Sequence, residues 1–181
     1  MIYTYDCEFL EDGITIDLIS IGIVCEDGRE YYAVNSDFDQ DRLKNDTWMV
    51  ENVVANLPLR GKVNRHSTGS GAWYWSLDMT SPVIKPKWVI ANEVREFLLY
   101  GQGTPELWAY YAAYDHVALA QLWGKMINLP KGIPMFTHDI MQQISMRDYG
   151  GSLPDQIGEH NALFDARWNM QVLRELTPGR F

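Results

Sequence analysis

The first predicted strand of the chain carries two acidic side chains on one face. Apart from Thr4, the other residues of 2–8 are apolar or aromatic, as in a strand that lies inside a sheet. Side chains two positions apart in a strand point the same way, so Asp6 and Glu8 share one face. Tyr5 and Cys7 point to the other face. Two poorly solvated carboxylates repel each other and require cations or a retained proton, although a strand end that reaches solvent would also accommodate the pair.

Hydrophobic patterning predicts strands first, then alternating helices and strands. Strands are predicted at residues 2–8, 14–25, 31–35, 106–112 and 134–138, and helices at 41–56, between Pro86 and Gly101, and at 114–126, 139–149 and 161–176. Between residues 57 and 87 no period is sustained, which indicates an irregular excursion. The order predicts an α/β fold with a mixed sheet flanked by helices. The length of 181 residues predicts a single domain over 1–181.

The acidic composition constrains how the chain can meet nucleic acid. Its 15 Lys and Arg residues against 24 Asp and Glu residues give a net charge of -9. Proteins that wrap nucleic acid by electrostatic attraction present a basic face, so the composition argues against that class. A nuclease whose acidic residues hold divalent cations stays compatible, because a bound cation inverts the local charge.

Cysteine content and hydropathy predict a cytoplasmic protein. Cys7 and Cys25 form no CxxC motif, which argues against a disulfide scaffold or a zinc ribbon and fits a reducing compartment. The apolar run at residues 18–25 is far too short to span a bilayer. Because the chain enters a strand-like run with an acid at Asp6, no signal peptide is expected. We therefore expect no membrane association.

Two aspartates lie on the apolar stripes of predicted helices. At about 100° per residue, Asp115 points the same way as Leu119 and Leu122. Asp165 likewise precedes Trp168 on a stripe that should face the sheet. An acid in the first turn of a helix also interacts favourably with the helix dipole, by about 0.3–1 kcal/mol. That alternative is stronger for Asp115 than for Asp165.

One histidine stands close in sequence to the last of these acids. His160 lies five residues before Asp165, after Gly158, in a loop that could bring an imidazole near the carboxylates. A lone histidine is more often incidental, so its position leaves the role open. A second pair, His138 and Asp139 at the end of a predicted strand, could also bind a metal ion.

Taken in order, the acids and the histidine match a known constellation. The set is Asp6-x-Glu8, then Asp115 within YYAAYDHVALAQL, then His160-x-x-x-x-Asp165 within GEHNALFDA. This ordered set resembles the histidine-bearing branch of the DEDD superfamily of 3′→5′ exonucleases. The resemblance covers nearly the whole chain except about residues 57–87. It implies a ribonuclease-H-like fold, with a five-stranded mixed sheet flanked by helices, and a metal-dependent phosphodiester hydrolase.

The resemblance also implies a role for each of the five side chains. Asp6 would bridge two metal ions, with Glu8 and Asp165 completing the first site and Asp115 holding the second. The cofactor would be Mg²⁺, two ions per active site, with Mn²⁺ as a substitute, because hard cations choose carboxylate oxygen. His160 would be the general base that takes a proton from the attacking water, since imidazole exchanges protons near neutral pH.

Candidate substrate contacts lie beside the first and second motifs. They are Cys7, Phe9, Leu10 and Tyr111. Phe9 and Leu10 could wedge against or stack on the last base, or could equally be core residues. The second motif has Tyr110 or Tyr111 where many members of the family carry Asn. Cys7 faces away from the acids and is also a candidate core residue.

The substrate and the partners follow from the resemblance, which extends to polyadenylate-specific exoribonucleases. It implies single-stranded RNA with adenylate-rich ends as substrate and AMP as product, whereas the expected homodimer rests on the excursion at 57–87. Basic and aromatic residues of the excursion at 57–87 favour a dimer contact first and a grip on single-stranded RNA second. A loop folded over its own core is the third interpretation.

Two other functions are compatible with the same residues. A DNA 3′→5′ exonuclease of the same superfamily would carry the same acids, because no residue in the sequence proves a contact to the ribose 2′-hydroxyl. An inactive nucleic-acid-binding module on the same fold would gain nothing from clustered buried carboxylates. The sequence therefore favours an exoribonuclease over both alternatives.

Overall fold

The computed structural model describes residues 1–65, 71–101, 103–147 and 149–181, so residues 66–70 of the predicted excursion lie outside the described part. The strands are β1 (Ile2–Glu11), β2 (Ile16–Cys25), β3 (Glu30–Asn35), β4 (Asn64–Arg65), β5 (Trp73–Tyr74), β6 (Ile84–Lys85), β7 (Glu106–Ala109) and β8 (His138–Asp139). The helices are α1 (Gln40–Leu43), α2 (Thr47–Asn52), α3 (Lys87–Leu99), α4 (Ala113–Ala120), α5 (Ile140–Met146) and α6 (Ala162–Leu176), with 3₁₀ turns at Val54–Asn56, Gln121–Trp123 and Met126–Asn128. None of these helices combines the length and hydrophobicity that a bilayer-spanning segment requires.

A mixed sheet forms the centre of the fold. Its strand order is β6-β3-β2-β1-β7-β8. The first three strands pair antiparallel, whereas β7, β8 and β6 join as parallel strands. The predicted α/β class is confirmed, but the sheet has six strands in the described residues where five were predicted. The additional strand, β6, is only two residues long, which is too short to leave a periodic pattern in the sequence.

Two predicted helices are shorter than expected. The predicted helix at 41–56 is instead α1, α2 and a 3₁₀ turn, because the Asp39 and Asp46 side chains each accept a backbone N–H and start a new helix. The predicted helix at 114–126 ends at Ala120, and two 3₁₀ turns replace its second half. Gly124, with φ of 78°, closes the first of these turns and prevents continuation.

The two faces of β1 differ in how continuously their side chains are packed. Tyr3, Tyr5 and Cys7 are buried in a cluster with α3 and α4 on one side of the sheet. On the other side, Ile2 packs beneath α6, and Leu10 packs in a separate cluster that includes α2. The residues between them on this face therefore lie in a gap between two apolar clusters, and Asp6 and Glu8 occupy that gap.

Helix α6 crosses β1 and β2 at very short range. The Thr4 hydroxyl donates to the carbonyl of Ala166 at 2.8 Å, and the buried Asn169 amide donates to the carbonyl of Tyr5 at 3.0 Å. Gly22 pairs directly with Asp6 in the sheet. A Cβ atom at Gly22 would lie 2.3 Å from the carbonyl oxygen of Ala162. The missing side chain therefore lets the start of α6 approach the acidic gap.

The described part of the excursion is folded over the chain's own core. Leu57, Leu77 and Ile84 are buried in the cluster that holds Leu10. The indole of Trp73 donates to the Thr47 hydroxyl at 3.2 Å, and its backbone N–H donates to the carbonyl of Lys44 at 2.8 Å. The third interpretation of this segment is thus the one that the described contacts fit, and the homodimer stays a prediction.

We expect Gly22→Ala to destabilise the protein by about 1–3 kcal/mol, the usual cost of overpacking a core. The added methyl group meets backbone atoms of α6, which cannot rotate away as a side chain could. Urea unfolding measures the change. Gly150→Ala is the matched control, since a Cβ there meets nothing within 4 Å. Equal stability of the two variants would contradict the close approach of α6.

Candidate active site

A cavity of about 270 Å³ opens at the acidic gap. The residues that line it are Asp6, Cys7, Glu8, Phe9, Tyr110, Asp115, Gln156, Glu159, His160, Asp165, Trp168 and Asn169. All four predicted metal-binding acids and the predicted base are among them. Three separate parts of the chain, β1, α4 and the segment from the Gln156 loop into α6, therefore meet at one site.

Three of the four acids form a compact group. Ligand atoms of Asp6, Glu8 and Asp165 all lie within 4.8 Å of one another. Asp115 is held from the side by β1, because its Oδ1 accepts the backbone N–H of Cys7 at 2.8 Å. Each carboxylate offers hard oxygen donors, the ligands that Mg²⁺ prefers. The donor set therefore suits divalent cations of this type.

Asp165 lies in the first turn of α6 and also lines the cavity. Asn161 caps α6, and its side chain accepts the backbone N–H groups of Leu163 and Phe164. The Asp165 carboxylate instead accepts the Gln156 amide at 2.7 Å. It is therefore directed into the cavity, as the apolar stripe predicted.

Burial raises the pKa of each of the four predicted metal-binding acids. Burial, together with repulsion from the other three acids, holds the pKa of Asp6 well above its usual range. Burial and the neighbouring carboxylates raise the pKa of Glu8 to about 8. Burial raises the pKa of Asp115 to about 7 and also raises that of Asp165. The cavity thus disfavours four negative charges unless positive charge accompanies them.

The loop before α6 brings His160 to the cavity in an unusual backbone conformation. Its φ is 64°, in the left-handed region that favours glycine, and Tyr111 beside the second motif has φ of 54°. Non-glycine residues in this region cluster at functional sites. The imidazole meets the indole of Trp48 edge to face, with 4.9 Å between ring centroids. No sequence pattern predicts this contact, since Trp48 is more than 100 residues away.

The candidate substrate contacts divide into three environments. Phe9 lines the cavity and stacks on Tyr114, with centroids 6.0 Å apart. Leu10 is buried and borders a second hollow of about 420 Å³ beside the first. The Cys7 side chain is buried in the core, although the residue contributes to the cavity wall. Tyr111 is 63% exposed and does not line the cavity.

Five residues of the cavity wall were not among the predicted site residues: Tyr110, Gln156, Glu159, Trp168 and Asn169. Tyr110 lines the cavity where Tyr111 had been proposed, and their rings meet edge to face at 4.8 Å. Gln156 has no sequence signal, because its partner Asp165 is defined only by the folded loop. Asn169 lies one helical turn after Asp165 on the same stripe, so a buried polar residue there could have been recognised. Trp168, predicted as core, donates to the carbonyl of Pro154 and fixes the loop.

The alternative metal pair is engaged elsewhere. His138 stacks on Trp108 with 4.5 Å between ring centroids. Asp139 caps α5 by accepting the N–H of Met141 at 2.8 Å, and it also accepts the N–H of Ala112. Across the described ranges, the Asp6 cluster is the only group of three or more His, Cys, Asp or Glu residues with metal-binding spacing.

Comparison with known proteins gives the family. The model of the Rv2179c-like 3′-5′ exoribonuclease domain matches residues 1–177. The chain belongs to this family. It is 40% identical over 178 residues to the 3′-5′ exoribonuclease Rv2179c of Mycobacterium tuberculosis strain H37Rv, covering 98% of this chain and 94% of the relative. The 3′-5′ exoribonuclease MT2234.1 of strain CDC 1551 is similar to the same extent.

A solved structure shares the fold. The chain resembles Pop2p of S. pombe, described in its Mg²⁺- and Mn²⁺-bound form, with a TM-score of 0.62 and 13% identity. The match covers 99% of this chain and 84% of Pop2p. The predicted ribonuclease-H-like fold and the predicted DEDD exonuclease family are therefore confirmed, and the protein is an enzyme of the exoribonuclease family.

We expect the metal-free protein to lose stability as pH rises from about 5 to about 8, in line with the raised pKa values of Glu8 and Asp115. In this window the folded chain holds protons that the unfolded chain has released, so the free energy of unfolding falls with pH. Thermal melts in EDTA measure the effect. The double variant Asp6→Asn with Glu8→Gln should show a flatter profile, and a wild-type profile as flat as that of the variant would contradict the repulsion.

Proposed function

We propose that this protein is a metal-dependent 3′→5′ exoribonuclease that hydrolyses single-stranded RNA from its 3′ end to nucleoside 5′-monophosphates. The observation that carries the proposal is the convergence of Asp6, Glu8 and Asp165 within 4.8 Å, with Asp115 lining the same cavity. Membership of the exoribonuclease family supports the reaction class.

The acids would hold two divalent cations. Asp6, Glu8 and Asp165 would bind the first, and Asp6 with Asp115 would bind the second. Mg²⁺, or Mn²⁺ in its place, suits these oxygen donors, and Pop2p, which shares the fold, is described with both ions. When bound, the two ions would supply the positive charge that activates water and stabilises the phosphate and the leaving oxygen.

His160 would act as the general base. It lines the cavity with the acids, and it lies on a loop rather than within a helix or strand. An imidazole nitrogen takes a proton from the attacking water, whose oxygen forms the new bond to phosphorus. The bond between phosphorus and the 3′ oxygen of the preceding nucleotide breaks, and that oxygen is protonated by solvent. The terminal nucleotide leaves as a 5′-monophosphate.

The terminal base would bind against the aromatic wall of the cavity. Phe9 presents its ring there and is supported from behind by Tyr114. Stacking contributes about 1–3 kcal/mol per base and tolerates any sequence. The preference for adenylate-rich ends, with AMP as the main product, rests on the likeness to polyadenylate-specific enzymes. We place the reaction in the cytoplasm, consistent with the free thiols of Cys7 and Cys25.

A time course with 5′-labelled, A-tailed RNA tests the proposal. Mixed-sequence RNA and the matching DNA are run beside it, each with Mg²⁺ or with EDTA. We expect a ladder that shortens from the 3′ end, requires metal and forms fastest on the A-tail. Asp6→Ala is the inactive control. Equal cutting of RNA and DNA would contradict the ribonuclease assignment, and cutting in EDTA would contradict the metal requirement.

His160→Ala should lower kcat by about 10²–10⁴-fold, the usual effect of losing an acid–base group. Metal binding should be spared, because the hydrogen bonds that hold Asp165 come from the Gln156 amide and the His160 backbone, which the substitution retains. Single-turnover hydrolysis measures the rate, and Mn²⁺ titration measures the metal affinity. A variant with wild-type turnover would exclude His160 as the base.

A further inference from the structure

The loop that carries His160 contacts α2 and the 3₁₀ turn that follows it. We propose that Trp48 of α2 and Asn56 of the following 3₁₀ turn are positioning residues that fix the His160 imidazole for proton transfer. The inference rests on the proposed role of His160 as general base. It adds to that role a structural cause for the placement of the ring.

Asn56 contacts the backbone on both sides of the base. Its side-chain amide lies 3.3 Å from the carbonyl oxygen of His160 and 3.4 Å from that of Glu159. The same amide nitrogen donates to the carbonyl of Asn52 at 2.6 Å. The amide is therefore anchored to its own segment by one N–H and presents the other to the loop that carries the histidine.

The anchoring segment is itself firmly packed. Val50, Val53 and Val54 are all buried in the cluster beneath α2. The Asp46 side chain caps the helix by accepting the N–H of Met49. A short element with buried side chains and a satisfied cap has a defined position, so contacts from it can define the position of a neighbouring loop.

Trp48 supplies the second contact. Its indole meets the imidazole edge to face, at 4.9 Å and 76° between the ring planes. Aromatic pairs in this arrangement stabilise each other beyond the burial of area. Since the backbone of His160 is in the left-handed region, the chain alone would not favour this conformation. Two external contacts, one to the backbone and one to the ring, oppose that cost.

A double-mutant cycle on the full-length protein tests the proposal. Asn56→Ala should lower kcat by about 10- to 100-fold, as expected for a displaced catalytic group, while KM and Mn²⁺ affinity stay unchanged. Asn56→Asp keeps the shape but removes the donor, so it should lose at least as much. In the His160→Ala background neither change should lower kcat further, because both act through the imidazole.

Two comparisons complete the design. Trp48→Phe preserves an aromatic edge and should retain more activity than Trp48→Ala. Asn92→Ala is the matched control, since the amide of Asn92 donates to the carbonyl of Trp88 on α3, far from the site in sequence. It should leave kcat unchanged.

The outcomes separate this inference from the proposed function. If His160→Ala leaves kcat unchanged, the general-base role is wrong. If His160→Ala lowers kcat while Asn56→Ala and Asn56→Asp do not, only the positioning role is wrong. If the losses from Asn56 and His160 multiply in the double variant, Asn56 acts on the fold rather than through the imidazole, and the inference is overturned.

Discussion

Repulsion among four partly or fully buried carboxyl groups is the constraint that the rest of this structure has to balance. Asp6, Glu8, Asp115 and Asp165 line one cavity, and the pKa of each is raised, first of all by burial. Burial of the apolar clusters on either side of the acids supplies the stabilising free energy that offsets this repulsion. Ile2 packs under α6 and Leu10 packs in the cluster that includes α2, so the strand that carries the acids is held at both ends.

Contacts to the backbone of β1 and β2 fix the positions of the side chains and the helix that form the site. The N–H of Cys7 holds Asp115, the carbonyl of Tyr5 holds Asn169 of α6, and Gly22 gives α6 room to approach. All three contacts involve β1 or its immediate partner. The separation of the acids is therefore fixed by the same packing that stabilises the sheet. His160 is different, because it lies on a loop and is located by side chains from another segment.

The sequence predicts those site residues whose spacing follows the periodicity of a strand or a helix. Asp6 and Glu8 are paired by the alternation of a strand, and Asp165 lies on a helix stripe that the structure also shows facing the sheet. Contacts made outside regular strands and α-helices follow no sequence periodicity, so the roles of Gln156 and Asn56 could not be predicted. For the same reason the sequence predicts Tyr111 at a position where the structure has Tyr110 in the cavity wall. Very short elements fail for a related reason. Two residues of β6 cannot display alternation, and the residue that caps α2 interrupts a pattern that otherwise resembles one helix.

The excursion at 57–87 packs against α2, and this packing explains why its sequence lacks a regular period. Its apolar residues fill a cluster against α2 rather than one side of a regular element, so their spacing is set by the surface that they cover. Trp73 bonds to Thr47 at the start of α2, and the next residue, Trp48, contacts His160. A change in the excursion would therefore reach the site by two routes, through α2 to His160 and through Leu10 to the strand that carries Asp6 and Glu8. The excursion thus supports both sides of the proposed site, the His160 loop through Trp48 and the strand of Asp6 and Glu8 through Leu10.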